Sequence, residues 1–133
     1  MKSYLIDTHI FLWLIFEPSK IDKYKLEILK KPKNKIYIAS ITFWEISLKY
    51  NLGKLELEGL TPDELPRVAQ KMGLDVLEID QNTMASFYKL PRVDGQKDPF
   101  DRIIIWKCIQ DNIPLISHDG KFNQYQEFGL MAL

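Results

Sequence analysis

In the run Lys97-Asp98-Pro99-Phe100-Asp101-Arg102, two carboxylates stand three residues apart at the head of an apolar segment, Ile103 to Ile109. Residues at that spacing share one face of a helix, so Asp98 and Asp101 can be aimed at one point. Three further acids, Asp7, Glu45 and Asp119, close or closely follow short apolar runs of the kind that form strands. Carboxylates pressed together repel, and some take up protons unless a cation neutralises them. Oxygen-only ligands favour a hard ion, Mg²⁺ or Mn²⁺, over zinc, for which His9, His118 and Cys108 offer no recognisable spacing. Hard ions of this kind activate water and stabilise a departing oxygen, so the chemistry this set would support is phosphodiester cleavage.

Each acid also has a local explanation. Asp98 can cap a helix that has Pro99 at its first position and Asp101 in its first turn, near the positive end of the dipole. Thr42-Phe43-Trp44-Glu45 matches a capping box, and Glu45 with Lys49 forms a favourable surface pair four residues apart. What the local explanations leave unexplained is why all five acids fall where strands end and helices begin.

The elements that must position them alternate. Ser3 to Ile6 reads as a strand, followed by a helix over His9 to Phe16, and Lys20 to Lys35 holds an amphipathic helix and loop with seven lysines. Those lysines suit either a solvated face or a local phosphate-contacting patch. Ile36 to Ala39 is a second strand, Ser40 to Tyr50 a helix, and Thr61-Pro62-Asp63-Glu64 opens another that stops at Gly73. Val76 to Ile79 is a third strand, and Asn82 caps a short helix reaching Leu90. After the helix that Asp98 begins, Pro114 to Ser117 is a strand, Lys121 to Tyr125 one helical turn, and Leu130 to Leu133 an edge strand. Strand and helix in alternation predict an α/β fold with a mostly parallel central sheet, in which helix N-termini and strand ends meet at the sheet's carboxyl edge.

The totals agree with one domain spanning residues 1–133, since 46% apolar residues suffice for a continuous core. Eighteen basic and eighteen acidic residues cancel, so any contact with nucleic acid must be local. A single cysteine excludes an intrachain disulfide and suits a reducing cytosol, and no signal peptide or membrane span is expected.

Taken together, Leu5-Ile6-Asp7-Thr8-His9, Ser40-Ile41-Thr42-Phe43-Trp44-Glu45-Ile46, Gly53-Lys54-Leu55, Asp98-Pro99-Phe100-Asp101-Arg102 and Ser117-His118-Asp119 resemble the PIN-domain ribonucleases, and within them the toxins of bacterial VapBC toxin–antitoxin pairs. The resemblance covers nearly the whole chain. It implies a three-layer α/β/α domain, a Mg²⁺-dependent endoribonuclease, a homodimer, and inhibition by a small antitoxin protein. Carried over, Asp7 is the first metal ligand, Glu45 the second acid, Asp101 the third with Asp98 a near alternative, and Asp119 the fourth, holding water or Thr8. Gln96-Lys97 stands where relatives often have histidine, a departure expected to alter the rim of the site.

His9 and His118 flank the acids and suit either proton transfer or local hydrogen bonding. Arg102 and Lys49 suit a phosphate or a surface pair, and Trp13, Trp44 and Trp106 suit packing. A catalytically silent module binding RNA or protein is the competing function, disfavoured because such a module has no use for uncompensated acids. A phosphotransferase lacks support, since no Asp-x-Asp pair follows the first strand and no Gly-rich phosphate loop is present.

Overall fold

The first strand, β1 (Ser3–Ile6), buries Tyr4, Leu5 and Ile6 in succession rather than in alternation. A strand covered on both faces requires that pattern. In the computed structural model, which describes residues 2–118, 120 and 122–133, β1 lies inside a four-stranded parallel sheet. Its partners are β2 (Lys35–Ala39), β3 (Asp75–Leu77) and β4 (Leu115–Ile116), in the order β3-β2-β1-β4. Ser3 pairs with Lys35 and Leu5 with Leu115, so both neighbours of β1 are parallel to it.

Side chains on the two faces of the sheet feed two cores. Ile6, Ile38 and Ile116 meet Ile10 and Phe11 of α1 (Thr8–Phe16) and Leu65 and Ala69 of α4 (Leu65–Lys71) on one face, with Leu26 and Leu29 of α2 (Lys23–Lys30) packed beside them. On the other face Leu5, Ala39 and Leu115 meet Ile104, Ile105 and Cys108 of α6 (Pro99–Asp111), together with Phe122 and Tyr125. Helix α3 (Ser40–Asn51) gives Ile46 to the first core and Ile41 to the second. The expected α/β/α sandwich with a parallel sheet is therefore the fold.

Strand order decides where a ligand can enter. From β1 the chain steps outward to β2 and β3, then returns to place β4 on the other side of β1. The order reverses at β1, and in open α/β sheets the crevice past the carboxyl ends of strands at such a point is where ligands bind. Ala132 forms a parallel bridge to Leu115, and the Leu115 amide donates to the Met131 carbonyl at 2.8 Å, so the carboxyl-terminal segment covers the edge that β4 would otherwise expose.

Several sequence expectations shift: β4 is confined to Leu115–Ile116, and Leu130 to Leu133 makes a bridge at Ala132 rather than a strand. β3 stops at Leu77 instead of reaching Ile79, because pairing ends at Ala39 opposite Leu77 and the Ile79 amide donates to Ser40 Oγ at 3.0 Å. The next helix, α5 (Gln81–Ser86), is capped by Asp80 rather than Asn82, with Asp80 Oδ1 accepting from the Thr83 amide at 2.7 Å. Hydrogen bonds from the Thr83 backbone and side chain, and then Lys107, hold the Asp80 carboxyl below its ordinary range. The last turn spans Asn123–Phe128, and Lys121, its expected start, lies outside the described residues.

Cys108 is fully buried in α6, and burial pushes its thiol well above the ordinary range. Thiolate is the reactive form. The folded protein is therefore expected to resist a thiol-specific reagent at neutral pH and to react with one equivalent once denatured; rapid labelling of the folded chain would show that this core opens readily.

Candidate metal centre at the carboxyl edge of the sheet

Asp7 follows β1 at the reversal point. Its amide donates to the Ile116 carbonyl at 3.1 Å, which prolongs the sheet pairing by one residue and fixes the backbone. Oδ1 accepts from the Ile10 amide at 2.8 Å and so caps α1. Among the described residues Oδ2 accepts no hydrogen bond, although Asp7 is only 1% exposed. Burying a carboxylate oxygen without donors is costly. His118 Nδ1 stands 3.7 Å from Oδ2 and would be a cationic neighbour when the imidazole is protonated. A cation near Oδ2 would offset that cost.

Glu45 is 2% exposed and lies in the second turn of α3. Thr8 Oγ1 donates to its Oε1 at 2.6 Å, and Lys49 Nζ donates to its Oε2 at 2.5 Å. The Thr8 and Thr42 hydroxyls are 3.2 Å apart. Because Thr8 adjoins Asp7, this network ties the head of α1 to α3. The capping-box explanation of Glu45 fails for a geometric reason: α3 begins at Ser40 after Ala39, without a side-chain cap, so Glu45 is already inside the helix. Lys49 pairs with Glu45 as the spacing suggested, but the partner is a buried acid rather than a surface one.

Asp98 and Asp101 divide their tasks. Asp98 Oδ1 accepts from the Phe100 amide at 2.8 Å and the Asp101 amide at 3.3 Å, which commits it to capping α6. Asp101 is buried, 6% exposed, in the first turn. Trp44 and Phe100 meet edge to face with centroids 5.2 Å apart, bringing the residue before Glu45 against the residue before Asp101. The heads of α3 and α6 thus adjoin at the carboxyl edge of the sheet. Arg102 is committed elsewhere: its Nη2 donates to the carbonyls of Leu90 and Pro91, each at 3.2 Å, and the guanidinium stacks over Phe87. It holds the loop before α6. Asp119 lies outside the described residues.

The histidines stand closer to the centre than their sequence positions suggest. Among the described residues, Asp7, His9 and His118 are the group whose candidate donor atoms all lie within 4.8 Å of one another. The two imidazoles have centroids 4.6 Å apart, and Trp13 packs edge-on against His118 at 5.3 Å. His9 sits on the head of α1, just past β1, and His118 just past β4, and β1 and β4 become neighbours only through the returning chain. The local signal, a histidine shortly after the end of each of two strands, was present; the adjacency was not.

A groove of about 470 Å³ runs from Thr8, His9, Glu45 and Lys49 outward to Lys54 and Glu56. Most of the lysines counted between Lys20 and Lys35 face a different cleft. Lys23, Lys30, Lys31 and Lys33 join Lys2, at the start of β1, around a space of about 870 Å³. Lys25 is held at the site's own edge by donation to the Ser117 carbonyl at 2.7 Å. No helix among the described residues is long and apolar enough to cross a membrane.

The PIN domain family model matches residues 4–127 of the chain. No curated protein sequence matches it. Among solved structures the chain is similar to VapBC2 from Rickettsia felis bound to a DNA fragment from its promoter, with TM-score 0.69 and 18% identity over 98% of this chain and 97% of that one. It is similar also to VapBC-1 from nontypeable Haemophilus influenzae, with TM-score 0.68 and 20% identity over 98% and 96% of the two chains. DNA-bound VapBC from Salmonella typhimurium gives a TM-score of 0.62 and 18% identity over 100% and 98%. At these identities the likeness is one of fold, and it extends from end to end.

Proposed function

Because this chain belongs to the PIN domain family, we propose that it is a metal-dependent endoribonuclease and the toxin of a toxin–antitoxin pair. The observation that carries the reading is Asp7 Oδ2, buried at the sheet's reversal point with no hydrogen-bond donor among the described residues, together with a buried Glu45 that accepts from Thr8, the next residue after Asp7. Asp7, Glu45 and Asp101 would hold a hard divalent ion, Mg²⁺ with Mn²⁺ as substitute; Asp119 joins them as the fourth acid on the sequence resemblance alone. Bound there, such an ion supplies Lewis acidity and an activated water for phosphodiester hydrolysis. The chain's own contribution is orientation. Thr8 fixes the Glu45 carboxylate, Lys49 balances its charge, and Asp98 shapes the first turn from which Asp101 projects.

The antitoxin partner is supported by the VapBC identity of the structures that share the fold. A homodimer is supported by the apolar cleft of Ile41, Trp44, Met84, Phe87, Phe100 and Ile103, in which Trp44 is 58% exposed. Action on RNA in the cytoplasm completes the proposal. The deciding experiment incubates purified protein with structured RNA. Cleavage is expected with Mg²⁺ or Mn²⁺ and none with EDTA; intact RNA under every metal condition would favour the silent binding module instead.

The lysine cleft supports a role in holding RNA away from the cut. Neutralising Lys30, Lys31 and Lys33 together is expected to reduce the slope of log affinity against log salt by about two to three. An unchanged slope would make those lysines a solvated face.

A further inference from the structure

We propose that Asp7, His9 and His118 form a nitrogen-containing metal site, sharing Asp7 with the acid cluster, that takes a transition ion of the zinc class in preference to Mg²⁺. Three observations support it. The donor atoms of the three residues lie within 4.8 Å of one another, and Asp7 Oδ2 to His118 Nδ1 is already 3.7 Å. Donors around a tetrahedral zinc at 2.0–2.1 Å stand about 3.4 Å apart, so the set closes with a shift of roughly an ångström. His9 is exposed on the first turn of α1. Second, the shared oxygen, Asp7 Oδ2, is buried and accepts no hydrogen bond among the described residues, so a cation there would offset its burial. Third, the approach is braced: Trp13 packs edge-on against His118 at 5.3 Å, and the two imidazoles pack tilted against each other with centroids 4.6 Å apart.

The ligand types set the preference. Two imidazoles and one carboxylate suit Zn²⁺ and its first-row neighbours and leave a coordination position open. Mg²⁺ demands near-octahedral oxygen coordination and gains little from nitrogen. Since Asp7 belongs to both sets, a transition ion bound by the histidines would compete with a hard ion for that carboxylate. The competition matters for RNA cleavage only if the nuclease reading holds; the binding itself does not depend on it.

The test uses the full chain stripped with EDTA and titrated with Zn²⁺ against a chromogenic zinc chelator, with and without a large excess of Mg²⁺. One zinc per chain is expected, bound at least about a hundredfold more tightly than Mg²⁺. His9→Gln and His118→Gln should each weaken zinc at least about tenfold, and His9→Gln should leave the Mg²⁺-induced thermal shift of the chain unchanged. Co²⁺ in place of zinc should show a visible spectrum with nitrogen ligation that His9→Gln alters. His9 being exposed, that variant keeps its fold and decides the matter should His118→Gln not fold. Zinc affinity equal in parent and His9→Gln, or the absence of stoichiometric zinc, overturns the site. RNA cleavage assayed separately with Mg²⁺ tells that result apart from a failure of the nuclease reading.

Discussion

Asp7→Asn is expected to slow metal-supported RNA cleavage by roughly a thousandfold, about 4 kcal/mol of activation free energy, in a chain that remains folded. The two oxygens of Asp7 have separable roles. Oδ1 caps α1 by accepting from the Ile10 amide, and asparagine caps a helix as well as aspartate does. Oδ2 is the buried oxygen with no donor among the described residues, and it is the charge on this group that the substitution removes. A buried charge without compensation opposes folding, so thermal stability in EDTA should hold or rise. Asp7→Ala should lose the same activity and, lacking the cap oxygen, about 1 kcal/mol of stability as well. Single-turnover cleavage with Mg²⁺, paired with thermal melts in EDTA, measures both effects. An Asp7→Asn protein that cuts as fast as its parent would reduce Asp7 to a helix cap and leave the proposed centre without its first ligand.

How much of this was legible in the sequence depends on whether the information is local. β1 and the acid closing it were, because three consecutive apolar residues followed by Asp-Thr describe a doubly covered strand turning into a capped helix. The cap at Asp98 with Pro99 at the first helical position was legible for the same reason. The division of labour between Asp98 and Asp101 was not, since two acids on one helix face look alike until backbone amides are seen to claim one of them. Glu45 misled in a different way. The capping-box pattern is present in the letters, yet α3 starts two residues before Thr42, because Ala39 ends β2 and the chain turns into helix at once. The pairing of His9 with His118 depends on β4 lying beside β1, a property of strand order that short-range patterns do not carry. Arg102, set beside the acids in sequence, turns away because carbonyls at Leu90 and Pro91 lie within its reach.

Lys49→Met is expected to destabilise the metal-free protein by about 1–2 kcal/mol, an amount that returns when a divalent ion is added. Glu45 is buried, with Thr8 Oγ1 on one oxygen and Lys49 Nζ on the other, and Lys49 is its one ion-pair partner among the described residues. Removing one partner of a fully buried pair costs about 3–5 kcal/mol. The Lys49 side chain is 37% exposed, so solvent screens the interaction and the smaller figure applies. Methionine keeps much of the aliphatic stem, which confines the change to charge. In EDTA the melting temperature should fall by about 4–8 °C. Added Mn²⁺ binds only the folded state and finds Glu45 without its countercharge, so its stabilising shift should be larger in the variant than in the parent. Glu45→Gln combined with Lys49→Met should recover part of the loss in EDTA and lose the extra response to Mn²⁺, since no uncompensated charge remains. Equal melting temperatures in EDTA together with equal Mn²⁺ shifts would place Glu45 beyond the ion's reach, and Lys49 would then be an ordinary pair at the rim of the groove.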